Sequence, residues 1–218
     1  MKKITLYITS ALFVFGVFFN AELLAQSDPS EQILQESRKK FESLTDFSAT
    51  YSYELKNAAM KSDRVAKGGD FRYKDGMYYL DMGNQAIYCD LESQWIHLKA
   101  DEEVTIVEYD PEEAVNIESV YKVYESNAKS QYMGEEMLGN SKAHKILMTS
   151  LDSELEYNRV TLWINSKTKL LEKASLVDRN QTEEVIVFKN LQTNQGFSLT
   201  DFQFNTTKHP NVDIYDER

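Results

Sequence analysis

The side chains able to do acid–base or metal chemistry are few in this 218-residue chain, and their spacing is poor for it. The three histidines, His97, His144 and His209, are scattered, two in runs that read as strands and one near the C-terminus. Imidazoles ligate metals and move protons, but without a recurring spacing they read as surface or satisfied core residues. The acidic clusters Asp101-Glu102-Glu103 and Glu112-Glu113 fall in a turn and at a helix start. There carboxylates are solvated or complement a helix dipole. Cys89, the single cysteine, sits in a hydrophobic run and reads as a buried, inert thiol with no internal disulfide partner. The sequence contains no Gly-x-Ser-x-Gly, His-Glu-x-x-His, Cys-x-x-Cys or phosphate-cradling glycine-rich loop. It therefore predicts no catalytic residue, metal or cofactor.

What the chain offers instead is apolar surface. Between Gly68 and Tyr109, short runs rich in Tyr, Ile, Val, Phe and Trp are separated by Lys74-Asp75-Gly76, Gly83-Asn84, Leu91-Glu92-Ser93 and Lys99-Ala100-Asp101-Glu102. That is the pattern of an antiparallel meander. Residues such as Phe71, Tyr73, Tyr78, Tyr79, Leu80, Ile87, Tyr88, Trp95 and Ile96 carry more apolar area than one sheet face can hide. Other parts of the chain, or a ligand, must cover it.

The elements that position this surface follow from periodicity. Asp28-Pro29-Ser30-Glu31 is a helix start with Pro at the first helical position. Ile33, Leu34, Ser37, Phe41 and Leu44 recur at helical spacing, which predicts an amphipathic helix of about five turns ending near Thr45-Asp46. Phe47 to Leu55 alternates cleanly between apolar and polar residues, a strand with one wet face. Gly68-Gly69 in the next run predicts a bulge or sharp bend. Asp110-Pro111 repeats the helix-start pattern, and Ala114, Ile117, Val120, Tyr121 and Tyr124 form an apolar stripe on a helical insert over 111–127. Strand patterns return from Gln131 to Leu191, with a last short strand at Asp201 to Phe204. The fold class predicted is α+β, mostly β. It is a strongly curved antiparallel sheet of about ten to eleven strands, an incomplete barrel, with an N-terminal helix and a helical lid on the concave side.

Met1 to Ala25 has a basic start, an apolar stretch from Ile4 to Phe19 and a small-residue cleavage site, so residues 1–25 are expected to be a cleaved signal peptide and 26–218 a single exported domain. Gln26 stands where an acylated Cys would be needed, which predicts a mature chain without lipid. A net charge of −11 argues against nucleic acid and against an anionic bilayer surface.

The order of pieces resembles the LolA family of outer-membrane lipoprotein carriers. The pieces are an export signal, an Asp-Pro helix, Asp46-Phe-Ser-Ala-Thr-Tyr51, Lys67-Gly-Gly-Asp-Phe71, Tyr78-Tyr79-Leu80, Ile87-Tyr88-Cys89-Asp90 with Gln94-Trp95, Asp110-Pro111, and Asp201-Phe-Gln-Phe204. The resemblance implies a half-barrel with a helical lid over a hydrophobic cavity, working in the periplasm as a monomer. Its partners are implied to be acylated lipoproteins, an ATP-driven releasing complex in the inner membrane, and an outer-membrane receptor or the outer membrane itself. Acyl chains are expected against Phe47, Tyr51, Tyr53, Phe71, Tyr73, Tyr79, Ile87 and Trp95, beneath lid residues Ala114, Ile117, Val120, Tyr121 and Tyr124. Many members tie the lid down with an Arg just after the Gly-Asp-aromatic strand. This chain has Asp75 there, leaving Lys74 or Arg72 as the substitute. Two further readings are a lipid-sensing envelope protein of the same fold, and a small exported hydrolase should His97 or His144 meet acidic side chains.

Overall fold

The computed structural model describes residues 28–57, 67–111 and 128–218. The five predicted lid residues, Ala114, Ile117, Val120, Tyr121 and Tyr124, lie outside them. One helix, α1 (Ser30–Glu42), precedes β1 (Phe47–Asn57), β2 (Lys67–Lys74), β3 (Met77–Asp81), β4 (Gln85–Cys89), β5 (Ser93–Leu98) and β6 (Glu103–Glu108). Then come β7 (Ala128–Leu138), β8 (Ser141–Ser150), β9 (Tyr157–Asn165), β10 (Leu171–Asp178), β11 (Thr182–Thr193) and β12 (Asp213–Asp216). All twelve strands form a single open sheet in the order β12, β6, β5, β4, β3, β2, β1, β11, β10, β9, β8, β7. Neighbours are antiparallel except β12, which runs parallel to β6. No helix among the described residues is long and apolar enough to cross a membrane.

Several expectations are corrected. Among the described residues the strand count is twelve, not ten or eleven, because the terminal segment Asp213–Asp216 pairs with β6 although its side chains carry no buried face. Asp201 to Phe204 is not a strand. A 3-10 turn at Leu199–Asp201 leads into it, and Phe202 and Phe204 are buried by packing rather than by pairing. The helix has 13 residues and stops at Glu42, with Pro29 in the capping position rather than inside the helix. Asp28 supplies the cap, its carboxylate accepting from Ser30 N and from Tyr132 N of β7, so the same side chain starts the helix and docks it to the sheet. Gly68-Gly69 is no bulge, since β2 pairs in unbroken register with β1 through both glycines.

The sheet has two differently covered faces. Across one of them lies α1. Ile33 and Leu34 press on Ile146, Met148, Val160, Leu162, Ile164, Ala174 and Leu176 of β8 to β10. Farther along, Phe41 and Leu44 pack against Phe47, Phe71, Tyr73, Tyr78 and Cys89. Burying each large apolar side chain contributes about 1.5–3 kcal/mol, which fixes the helix across both halves of the sheet. Its exposed side is stitched by the Arg38–Glu42 ion pair at 2.7 Å. The opposite face of β2 to β6 is covered by the segment between β11 and β12. Asp46, buried, accepts the backbone N–H groups of Gln195, Gly196 and Phe197 at 2.5, 2.8 and 3.1 Å. That clasp turns the chain off β11 and across the sheet.

Candidate functional site

Side-chain alternation assigns the predicted site residues to faces. Phe47, Tyr51 and Tyr53 of β1 share the helix face, and register carries that face to Phe71 and Tyr73 of β2, then through Leu80 to Ile87 of β4. Six of the eight predicted acyl-chain residues are thus brought together. Tyr79 and Trp95 are not: Tyr79 pairs with Arg72 and with Tyr88, and Trp95 with Tyr88, which places both on the opposite face. The physical reason is that β3 to β5 are covered on both sides, so their apolar residues do not announce a face.

Within the six, burial differs. Phe47, Phe71 and Tyr73 are buried beneath Phe41 and Leu44, with the Phe41 ring 5.5 Å from both Phe47 and Tyr73. They are core. Tyr51, Tyr53 and Ile87 are half-buried. With them stand Leu80, Ile96, Ile186 and Phe188, which sequence reasoning left out of the site. Their signal was present in the register, not in the residue types.

Two cross-strand rows define this surface. One runs Tyr53, Ile186, Ala174, Leu162, Ile146, Tyr132 across β1, β11, β10, β9, β8 and β7, every neighbour a paired residue. The other runs Ala49, Phe71, Leu80, Ile87, Ile96 across β1 to β5. At about 4.8 Å between strands, the first row is roughly 24 Å long. Ile33 and Leu34 of α1 already rest on its middle, while Tyr53 and Tyr132 at its ends and Leu80, Ile87 and Ile96 of the second row are half-buried. Such a surface offers dispersion contact and little directional bonding, the requirement for holding a hydrocarbon chain.

Polar groups fringe the strip. The Tyr51 hydroxyl donates to the Asp81 carbonyl oxygen at 2.7 Å. Burial, and then the charge of Asp81, pushes this phenol up to about 12, so it stays a donor. Tyr53 and Tyr157 are both raised, first by burial and then by the carboxylate of Glu184, to which both hydroxyls bond. These hydroxyls and carboxylates are paired with one another and present no reactive centre.

The lid that Arg72 or Lys74 was expected to tie down lies outside the described residues; within them, both side chains meet the C-terminal segment. Arg72 and Lys74 alternate with Phe71 and Tyr73 and so face away from α1. The Arg72 guanidinium stacks over Tyr79 at 4.8 Å and Phe197 at 5.9 Å, and Lys74 Nζ donates to the Phe197 carbonyl. Both hold the C-terminal segment. His144 does meet a carboxylate, Glu135 at 3.8 Å, and its Nδ1 shares a hydrogen bond with the Tyr132 hydroxyl at 3.2 Å. Glu135 is also paired with Lys142, so the group ties edge strand β7 to β8 and aligns no nucleophile. Among the described residues there is no group of three His, Cys, Asp or Glu side chains able to hold a metal ion. Cys89 is fully buried and burial pushes its thiol up.

Comparison with known proteins agrees on the architecture. An uncharacterized conserved protein from Thermus thermophilus superposes with a TM-score of 0.55 at 10% identity, covering 86% of this chain and 98% of that one. MucB superposes at 0.50 with 18% identity, covering 81% of this chain and 62% of MucB. No curated protein matches the chain. The family model for the outer membrane lipoprotein carrier protein LolA matches residues 81–205, more than half of the sequence, and it spans β4 to β11 and the buried pair Phe202 and Phe204. That match, on a chain whose described residues form an open twelve-stranded sheet crossed by α1, makes it a member of the LolA family.

Proposed function

We propose that the chain is a periplasmic carrier that holds the acyl chains of lipoproteins on its helix face. In this reading it receives them from an ATP-driven complex of the inner membrane and delivers them to the outer membrane. The observation that carries this is the continuous apolar row from Tyr53 to Tyr132, together with the half-buried residues around Ile87. The need for such a carrier is a matter of magnitude. Exposing a dozen acyl methylenes to water costs about 10 kcal/mol at roughly 0.8 kcal/mol each, so an acylated protein does not cross an aqueous gap bare.

The test is to purify the protein from periplasm and identify bound acyl species by mass spectrometry. An acylated protein or lipid should leave with the wild type and be lost from Ile186→Glu. Purified protein that carries no acyl species, and takes none from detergent-solubilised lipoprotein, ends the carrier reading. MucB, whose fold this chain shares, has been solved in complex with MucA, which raises a partner-binding role as the second reading. Acyl binding without transfer to acceptor membranes would favour it.

A further inference from the structure

The C-terminal segment is fastened by three rings. His97, on the face away from α1, is 5% exposed. Its ring meets Phe204 at 5.0 Å and His209 at 4.9 Å, both edge-on, and His209 in turn stacks on Phe204 at 5.0 Å. Shortly past His209 the chain reaches β12, whose side chains are all exposed. Beyond its backbone pairing with β6, β12 is held mainly by the Arg218 guanidinium on Ser93 Oγ at 2.9 Å. Whatever keeps residues 204–212 on the sheet therefore also keeps β12 in register.

The site suits a neutral His97 imidazole. Its ring is 5% exposed and packed against the Phe204 and His209 rings. The charged groups around it are Asp81 and Lys99, spent on each other at 2.7 Å, with Glu102, Lys208 and His209 at the mouth of an adjoining cleft of about 480 Å³. Tyr79 and Tyr88 complete the cleft wall, and burial keeps both phenols protonated. Burial against the Phe204 and His209 rings disfavours a cation on His97.

We propose that His97, packed on Phe204 and His209, is an acid-released latch: its protonation lifts residues 204–212 from the sheet, unpairs β12 and bares the edge of β6. Burial, then His209 and Lys99, hold the His97 imidazole below its ordinary value, opposed by Asp81. A histidine depressed in the folded state stabilises fully above its unfolded value and loses that contribution as pH falls, so release belongs below about pH 6.5. The latch does not depend on what the helix face binds.

The experiment is amide hydrogen exchange on the full chain at about pH 7.5 and 5.5, either side of the ordinary histidine value and corrected for intrinsic rates. Protection at Asp213 and Glu217, whose N–H groups bond Glu102 and Ile106 carbonyls, should fall tenfold or more at the lower pH, while Leu162 in the core stays protected. In His97→Phe, which keeps a ring and removes its titration, protection at the two pH values should be equal. Should that variant fold poorly, His97→Gln is the replacement, and it should at least halve the logarithmic loss. Unchanged wild-type protection, equal losses at Leu162 and Glu217, or a full loss surviving in the variants each overturn the latch.

Discussion

Tyr51 lies opposite Gly69 in the β1–β2 register, and its side chain crosses that glycine to reach the Asp81 carbonyl oxygen at the end of β3. The backbone of Asp81 comes so near that a Cβ on Gly69 would collide with its oxygen, and one on Gly68 would stand 2.7 Å from the Tyr51 carbonyl oxygen. Both obstacles are main chain and cannot swing aside. Gly69→Ala should therefore cost about 2 kcal/mol or more, and Tyr51→Phe about 1 kcal/mol for one buried hydrogen bond. Urea midpoints measure both. A Gly69→Ala midpoint equal to wild type would mean that β2 and β3 do not approach this closely.

Asp46 serves three backbone donors of the loop that redirects the chain after β11. Asp46→Ala strands those N–H groups and should destabilise by about 3 kcal/mol. Because the same loop places Phe197, Phe202 and Phe204, near-UV circular dichroism should weaken along with the midpoint. Loss of stability with an intact aromatic signal would separate the clasp from the packing.

The assignment of residues to faces predicts which substitutions touch acyl binding. Ile87→Glu, half-buried on the helix face, should weaken binding of a fluorescent fatty-acid probe at least tenfold. Trp95→Phe, on the face beneath the C-terminal segment, should leave it unchanged at equal folded fraction. If Trp95 rather than Ile87 controls the probe, the occupied face is the other one.

Burial holds His144 below the ordinary histidine value, against the opposing charge of Glu135. Its contribution is complete above its unfolded value near about 6.5 and is lost as pH falls. Thermal midpoints should decline between about pH 7 and 5, and less steeply in His144→Gln. A variant as pH-sensitive as wild type would place the dependence elsewhere.

The sequence was most legible where a strand has one wet face. The alternation from Phe47 to Leu55 located β1 and chose its buried side, because Ser48, Thr50, Ser52 and Glu54 leave only one way to turn it. It failed where both faces are covered. Nothing in the Tyr78-Tyr79 pair says which ring looks toward α1; only the hairpin closed by Asp75 and Gly76, both with positive φ, settles the register. Phe202 and Phe204 mimic a strand because burial on one side gives a period of two whether or not the backbone is paired. β12 was invisible for the opposite reason: all its side chains are exposed, and it is held by main-chain bonds that no residue pattern encodes. Ile33 to Leu44 overstated the helix, since Leu44 packs on the core from beyond its end.

Ending the sheet on β12 also governs how copies of the chain can meet. The border on that side becomes a strand of four residues, Asp213 and Asp216 among them, too short and too acidic to template a second molecule. The strand it shields, β6, is six residues long and carries Val104, Ile106 and Val107. At the other border, β7 is longer, but a register shift between Tyr132 and Glu135, at Gly134, interrupts it, and it carries the charged Lys129 and Glu135. Both rims are thereby blunted, so a sheet that never closes into a barrel still resists running on from copy to copy into a fibril.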